Sequence, residues 1–306
     1  MQKKHSYAIS DRNLIDYQLY DFHNLELRGP KSEKNKYISY IGGGQTFGRY
    51  CQEPFPHILG NKLNIGTLNF GRGGVGPNYF LKNETIINAI NQTELTVVQV
   101  LSGRSVNNSV FFSANDNGYG IRLIDNQEMK AIQIFKDLII GKDIRGRDIN
   151  FIKNLVEETR QNYLDGMIAL LKKIKVPKIL LWFSVRQPRY QESYDDNARY
   201  KESIRSKINN ILETVSKNRI GFFRGYAPEK YIYADFPHLV NEQMVEMLKP
   251  HSDAYVECIT KVGLPQTLIN FRGEKVRTDN YYPSPQMHQE AAKLLYPVCQ
   301  NILKNK

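Results

Sequence analysis

The chain has 306 residues, a hydrophobic fraction of 41% and a formal net charge of +11. That length can bury a large core, and no run of about 18 uninterrupted apolar residues offers a membrane span. The basic balance favours an anionic partner. No zinc-finger or RNA-recognition signature accompanies it, so a nucleic-acid role is not expected.

Residues 1–35 are polar, with scattered anchors at Leu14, Tyr17, Leu19, Tyr20 and Phe22, and read as an arm packed on one domain over 36–306. The start, Met1 to Asp11, lacks the apolar core of a secretory signal. The cysteines Cys51, Cys258 and Cys299 are far apart. They point to reduced thiols in a cytoplasm rather than to a disulfide frame.

From Tyr37 onward, short apolar runs predict strands at Tyr37–Ile41, Asn64–Asn69, Leu95–Leu101, Lys178–Val185 and Ala254–Thr260. Leu95–Leu101 is β-branched and Ile179–Phe183 nearly continuous, as strands buried on both faces require. Helical spacing runs through Asp148–Lys173, with Asp148 as N-cap and Pro177 before the next strand. It recurs over Ala198–Lys217 and about Pro285–Leu303. Phe111–Asn126 is a polar excursion suited to a flap around Asn115–Gly120, and Gly263–Tyr282 is a long irregular stretch. Alternating strands and helices predict an α/β domain with a mostly parallel five-stranded sheet.

In such a sheet ligands sit beyond the carboxyl ends of the strands. The loop after the first strand is Gly42-Gly43-Gly44-Gln45-Thr46-Phe47-Gly48-Arg49. Its bare glycines let backbone N–H groups approach a ligand, and a helix starting near Gln45 would favour an anion. The second loop, Asn69 to Asn78, carries Gly71, Gly73, Gly74 and Gly76 beside Arg72, an always-charged cation. The third, Ser102-Gly103-Arg104-Ser105-Val106-Asn107-Asn108, adds a second Arg, two hydroxyls and two amides. Each loop alone reads equally as a tight turn; three in series point to one site.

These blocks resemble the SGNH (GDSL-like) hydrolase superfamily. Gly42, Thr46 and Gly48 match its Gly-Asp-Ser-x-Thr-x-Gly block, and Leu68-Asn69-Phe70-Gly71 followed by Gly73-Gly74 looks like its second. Ser102–Asn108 holds the third position, and Asp279-Asn280-Tyr281-Tyr282-Pro283-Ser284 the last. The superfamily's nucleophilic Ser falls on Gly44 and its His on Tyr282. Glycine cannot attack a carbonyl, and a tyrosine with pKa about 10 is a poor base at neutral pH. The Gly-Gly-x-x-Thr-Phe-Gly-Arg run, Pro54-Phe55-Pro56 and Pro285-Gln286-Met287-His288 resemble a bacterial branch lacking the usual Ser and His. That branch is often associated with polysaccharide or sulfotransferase genes.

The resemblance implies a three-layer sandwich whose sheet has flavodoxin-like order with helices on both faces. It also implies an acyl or ester hydrolase or transferase acting on a glycan or sugar-linked substrate, with its chemistry moved off Gly44. His288 would then act as a displaced base on Ser105, Ser102 or Thr46, with Asp279 from the last block and Asn107 or Asn108 as oxyanion donor. Gly43, Gly44, Gln45, Thr46, Arg72, Gly74, Arg104, Arg186 and Tyr282 are the candidate ligand contacts. A competing segment, Val185-Arg186-Gln187-Pro188-Arg189, reaches Ser193. It resembles the Arg and Ser pair with which PAPS-dependent sulfotransferases grip a 3′-phosphate, which would make PAPS the only cofactor. A third reading is a non-catalytic glycan-binding protein. The histidines show no metal-ligand spacing, so no metal is expected, and sequence leaves the oligomeric state open.

Overall fold

The computed structural model describes residues 6–103, 105–114, 118–131, 133, 134, 137, 149–193, 230–232, 240–278 and 281–305. The first half runs α1 (Ser6–Ser10), β1 (Tyr20–Phe22), β2 (Leu25–Leu27), β3 (Tyr37–Ile41), α2 (Gly44–Phe47), α3 (Phe55–Leu63), β4 (Gly66–Asn69), α4 (Pro77–Leu81), α5 (Glu84–Ile90) and β5 (Leu95–Gln99). It continues through β6 (Phe111–Ser113), β7 (Tyr119–Arg122), β8 (Glu128–Lys130), α6 (Ile149–Lys173), β9 (Lys178–Ser184), β10 (Gln191–Ser193) and β11 (Lys230–Ile232). Last come α7 (Glu242–Leu248), β12 (Ala254–Ile259), β13 (Thr267–Ile269), β14 (Lys275–Arg277) and α8 (Pro285–Lys304).

The five strands predicted from the apolar runs form one sheet in the order β12-β9-β5-β3-β4. Every pairing in it is parallel. Renumbered along the sheet's own strands this is the flavodoxin-like order, with the reversal between β3 and β5. Alternation along each strand sorts the core into two layers. Ile38, Tyr40, Val97, Ile179, Leu181 and Phe183 face α3 and α8 through Phe55, Leu59, Met287, Ala291 and Leu295. Ile41, Val98, Leu180 and Trp182 face α5 and α6 through Ile86, Ile90, Tyr163, Met167 and Leu171. Helices therefore cover both faces, and the sandwich has three layers.

The helix expected over Ala198–Lys217, the Asp148 cap and the flap residues Asn115–Asn117 lie outside the described residues. The polar excursion after Val110 is a three-stranded antiparallel sheet, β6-β7-β8. The stretch Gly263–Tyr282, expected to be irregular, holds the hairpin β13–β14. Its strands are three residues each, too short for a period-two pattern to stand out. All three cysteines are free and buried. Burial pushes each thiol up to about 12, so they remain protonated. Among the described residues no helix is long and apolar enough to cross a membrane.

Leu181 is fully buried on β9, between β5 and β12. Leu181→Ala should cost about 2–5 kcal/mol, read from the urea midpoint at unchanged slope. A loss below about 1 kcal/mol would show that the site collapses around the deletion.

Candidate functional site

β3, β5 and β9 are neighbours in the sheet, and their carboxyl ends deliver the chain into a single cleft of about 130 Å³. Gly43, Gly44 and Gln45 line it from the first loop, Gly74 and Val75 from the second, and Gln99 to Ser102 from the third strand end. Trp182, Ser184 and Arg186 line the opposite side, with Val240 beside them, and Tyr281 and Tyr282 come from the turn before α8. The three glycine-bearing loops thus converge. The size is close to an engineered cavity of about 150 Å³ that takes benzene.

The loop geometry follows from a few buried amides. Gln99 Oε1 accepts from Gly43 N at 3.1 Å and from Thr46 Oγ1 at 2.6 Å, which holds the first turn against the end of β5. Gln99 Nε2 donates to Gln45 Oε1 at 3.3 Å. Asn69 Nδ2 donates to Thr46 O and its Oδ1 accepts from Gly71 N, both at 2.9 Å, which locks the second loop to the first. Thr46 is therefore a buried fastening hydroxyl behind the cleft wall.

On the β3 side the wall is built of tyrosines around one arginine. Arg49 makes a two-pronged pair with Asp11, Nε to Oδ2 at 2.8 Å and Nη2 to Oδ1 at 2.9 Å. Its Nη1 donates to the Tyr282 hydroxyl at 3.1 Å, and that hydroxyl lies 3.0 Å from the Tyr7 hydroxyl. The guanidinium carbon sits 4.4, 4.6 and 4.9 Å from the ring centroids of Tyr7, Tyr50 and Tyr282. Burial works against the charge of Arg49, but the Asp11 carboxylate together with Tyr282 and Tyr50 more than offsets it. Burial also raises Tyr7 and Tyr282 above the ordinary phenol range, although Arg49 opposes this at Tyr282. Both hydroxyls are neutral at physiological pH.

Two glycines make room for this packing. A Cβ on Gly44 would lie 2.7 Å from both the Tyr7 hydroxyl and Tyr282 Cε1. A Cβ on Gly73 would lie 1.8 Å from the Tyr7 hydroxyl. Real Cβ atoms do not approach that closely, so both positions require glycine while Tyr7 is in place.

On the β9 side Arg186 Nη1 donates to Val240 O at 3.2 Å, and its guanidinium carbon lies 4.9 Å from the Trp182 ring centroid. Trp182 Nε1 donates back to Arg186 O at 2.9 Å. The loop is thereby folded so that cation and indole face the cleft together.

Of the residues singled out in the sequence, Gly43, Gly44, Gln45, Gly74, Arg186, Ser102 and Tyr282 line the cleft. The proposed Ser105 and His288 pair is not brought into it. Ser105 is buried and donates to Gly74 O at 2.7 Å, fixing the second loop. His288 is sealed between Phe55 and Phe183, and its Nδ1 accepts from Phe55 N at 3.1 Å. Asn107 Oδ1 accepts from Ser113 N, and Asn108 bonds Val110 N, Phe111 N and the Thr159 hydroxyl, so both amides brace the third loop. Arg72 lines a separate cavity of about 170 Å³ with Asn24 and Tyr79. Arg104, Asp279 and the Ser193 side chain lie outside the described residues. Among the described residues no cluster of His, Cys, Asp or Glu could hold a metal ion. Sequence reasoning missed Tyr7, Trp182, Ser184, Val240 and Tyr281. Of these only Trp182 carried a signal, as the last indole-sized group before a strand-end loop.

The fold and site together define a flavodoxin-like α/β protein with a cleft at the carboxyl edge of its sheet. A family model described as a domain of unknown function (DUF6473) matches residues 5–116, which span the first three loops. No curated protein matches the chain. Among solved structures, it is similar to a carbohydrate esterase family 2 enzyme with a carbohydrate-binding domain from Corynascus thermopiles (Myceliophthora fergusii). There the identity is 10%, the coverage 90% of this chain and 69% of that one, and the TM-score 0.41. A member of the lipolytic protein G-D-S-L family from Veillonella parvula DSM 2008 is 12% identical, with 87% and 98% covered and a TM-score of 0.37. A catalytic mutant of Axe2, an acetylxylan esterase from Geobacillus stearothermophilus, is 12% identical, with 90% and 96% covered and a TM-score of 0.35.

The buried His288 generates a pH prediction. Burial first, and then the charge of Arg28, lowers its pKa from 6.5 to about 3. The folded state thus holds it neutral while the unfolded chain protonates it. Its contribution is complete above pH 6.5 and is lost progressively as pH falls toward 3. The slope within that window is about 1.4 kcal/mol per pH unit for one proton. His288→Asn, which retains an acceptor for Phe55 N, should flatten this part of the stability profile in urea titrations between pH 7 and 4. An unchanged slope would show that His288 does not set it.

Proposed function

We propose that this chain is an SGNH-like protein whose cleft binds the anionic end of a sugar-linked ligand without serine-type hydrolysis. One observation carries the reading: the side-chain space at Gly44, where the resemblance puts the nucleophile, is filled by Tyr7 and Tyr282. Among the described residues no imidazole lines the cleft to activate a hydroxyl. What the cleft offers is recognition chemistry. Arg186 supplies a fixed cation, Trp182 and Tyr281 supply aromatic surface, and Gln45 and Ser102 supply polar contacts. An acidic sugar combines the hydroxyls, the apolar ring face and the charge that such a lining fits. The basic net charge of +11 would also draw such ligands in.

Trp182 is the single tryptophan in the chain, so its emission reports on the cleft directly. Titration with D-glucuronate and with D-glucose 6-sulfate should change that emission saturably, and D-glucose should bind more weakly. Arg186→Gln should weaken both anionic sugars by about tenfold or more, the scale of one charge-assisted hydrogen bond. Flat titrations with both anionic sugars would overturn the reading. Turnover of p-nitrophenyl acetate that disappears in Ser102→Ala would replace it with ester hydrolysis. Saturable binding of adenosine 3′,5′-bisphosphate in preference to the sugars would replace it with a nucleotide site.

A further inference from the structure

The cleft has two ends of different chemistry. The Arg186 and Trp182 end lies over β9 and the tyrosine end over β3, with β5 between them. Two interstrand steps separate the ends by about 10 Å. A single sugar unit whose charged group meets Arg186 therefore places its far oxygens at the tyrosine end.

The group waiting there comes from the other extremity of the chain. Tyr7 lies on α1, and its hydroxyl enters the space left by Gly44 and Gly73. Three sets of contacts hold it there. Its ring packs edge-on against Phe47 at 5.3 Å and Tyr282 at 6.0 Å. Asp11, one turn beyond Tyr7, is clamped by Arg49 and accepts from the Tyr17 hydroxyl at 2.9 Å. Arg28, buried further along the arm, donates to Tyr17 O at 2.6 Å and to Cys51 O at 3.1 Å, joining arm to domain. A tyrosine held this way has lost its side-chain freedom before any ligand arrives, so using it costs little ordering entropy.

We propose that Tyr7 is the ligand-contacting hydroxyl at the β3 end of the cleft, delivered by the N-terminal segment into space that Gly44 and Gly73 leave open, where it hydrogen-bonds an uncharged oxygen of the sugar. Arg49 donates to Tyr282, and the Tyr7–Tyr282 pair can turn its proton either way. Tyr7 can therefore donate to an acyl or ring oxygen, or accept from a sugar hydroxyl. Charge selection belongs to Arg186, and Tyr7 adds affinity without regard to charge.

This inference rests on the sugar-binding reading, and the test separates the two. Tyr7→Phe removes one oxygen and retains the ring contacts. Trp182 emission titrations with D-glucuronate and D-glucose should show both ligands weakened by a similar factor of up to about tenfold, the scale of one hydrogen bond. The preference for glucuronate over glucose should persist in Tyr7→Phe and collapse in Arg186→Gln. Tyr282→Phe, which leaves the Tyr7 hydroxyl in place, should weaken binding less than Tyr7→Phe. Urea midpoints measured alongside identify any variant whose loss comes from misfolding. Wild-type protein that binds neither sugar defeats the functional reading. Wild-type protein that binds glucuronate with a Tyr7→Phe variant that binds it equally well defeats only the role given to Tyr7. A loss in Tyr7→Phe confined to the charged sugar also defeats that role.

Discussion

The ion pair between Asp11 and Arg49 joins three distant parts of the chain, and the cleft takes its shape from it. Asp11 belongs to the N-terminal segment and Arg49 follows the first glycine loop, while the arginine's remaining donor reaches Tyr282 from the turn before α8. The carboxylate is almost wholly buried, and three tyrosine rings surround the guanidinium. Two charges withdrawn from water are stabilised only where their partners saturate them. Here both prongs of the arginine are met by one carboxylate, and its third donor by a phenol. Breaking either half would leave a buried charge, which ties the N-terminal segment to the loop after β3.

The glycine loops acquire a specific meaning in that setting. A glycine after a buried strand can serve a turn, a close ligand or a close neighbour. Gly44 and Gly73 serve a neighbour, because the Tyr7 hydroxyl stands where their side chains would be. A hydroxyl from the N-terminal segment thus reaches the end of the first glycine loop. The group at that position is a neutral phenol, and among the described residues no imidazole lines the cleft beside it. It is suited to holding an oxygen and unsuited to attacking a carbonyl.

His288 illustrates how one residue type can suggest chemistry and perform architecture. It stands in the first turn of α8, where sequence alone allows a base near the strand ends. Its ring is instead stacked near Phe55, with one nitrogen accepting the amide that opens α3. Ser105, Asn107 and Asn108 behave similarly. Each has the right functional group in the right loop, but each spends it on backbone atoms that hold the loop in shape. Backbone groups in a buried turn must find partners, and short polar side chains nearby are the usual source.

The amino-acid sequence by itself determined the strands of the sheet and the glycine loops that form the cleft. Parallel strands buried on both faces need continuous β-branched and apolar runs such as Leu95–Gln99 and Ile179–Phe183, and a strand-end turn needs residues without side chains. Those demands are local and so are visible in a few consecutive letters. Which of the candidate polar groups face the cleft and which brace the loops instead was decided by tertiary structure. The Tyr7 and Tyr282 hydroxyls meet across 275 positions of sequence, and neither neighbourhood carries a pattern that names the other. Contacts of that separation arise only after the core has formed, when the space at Gly44 exists to be filled.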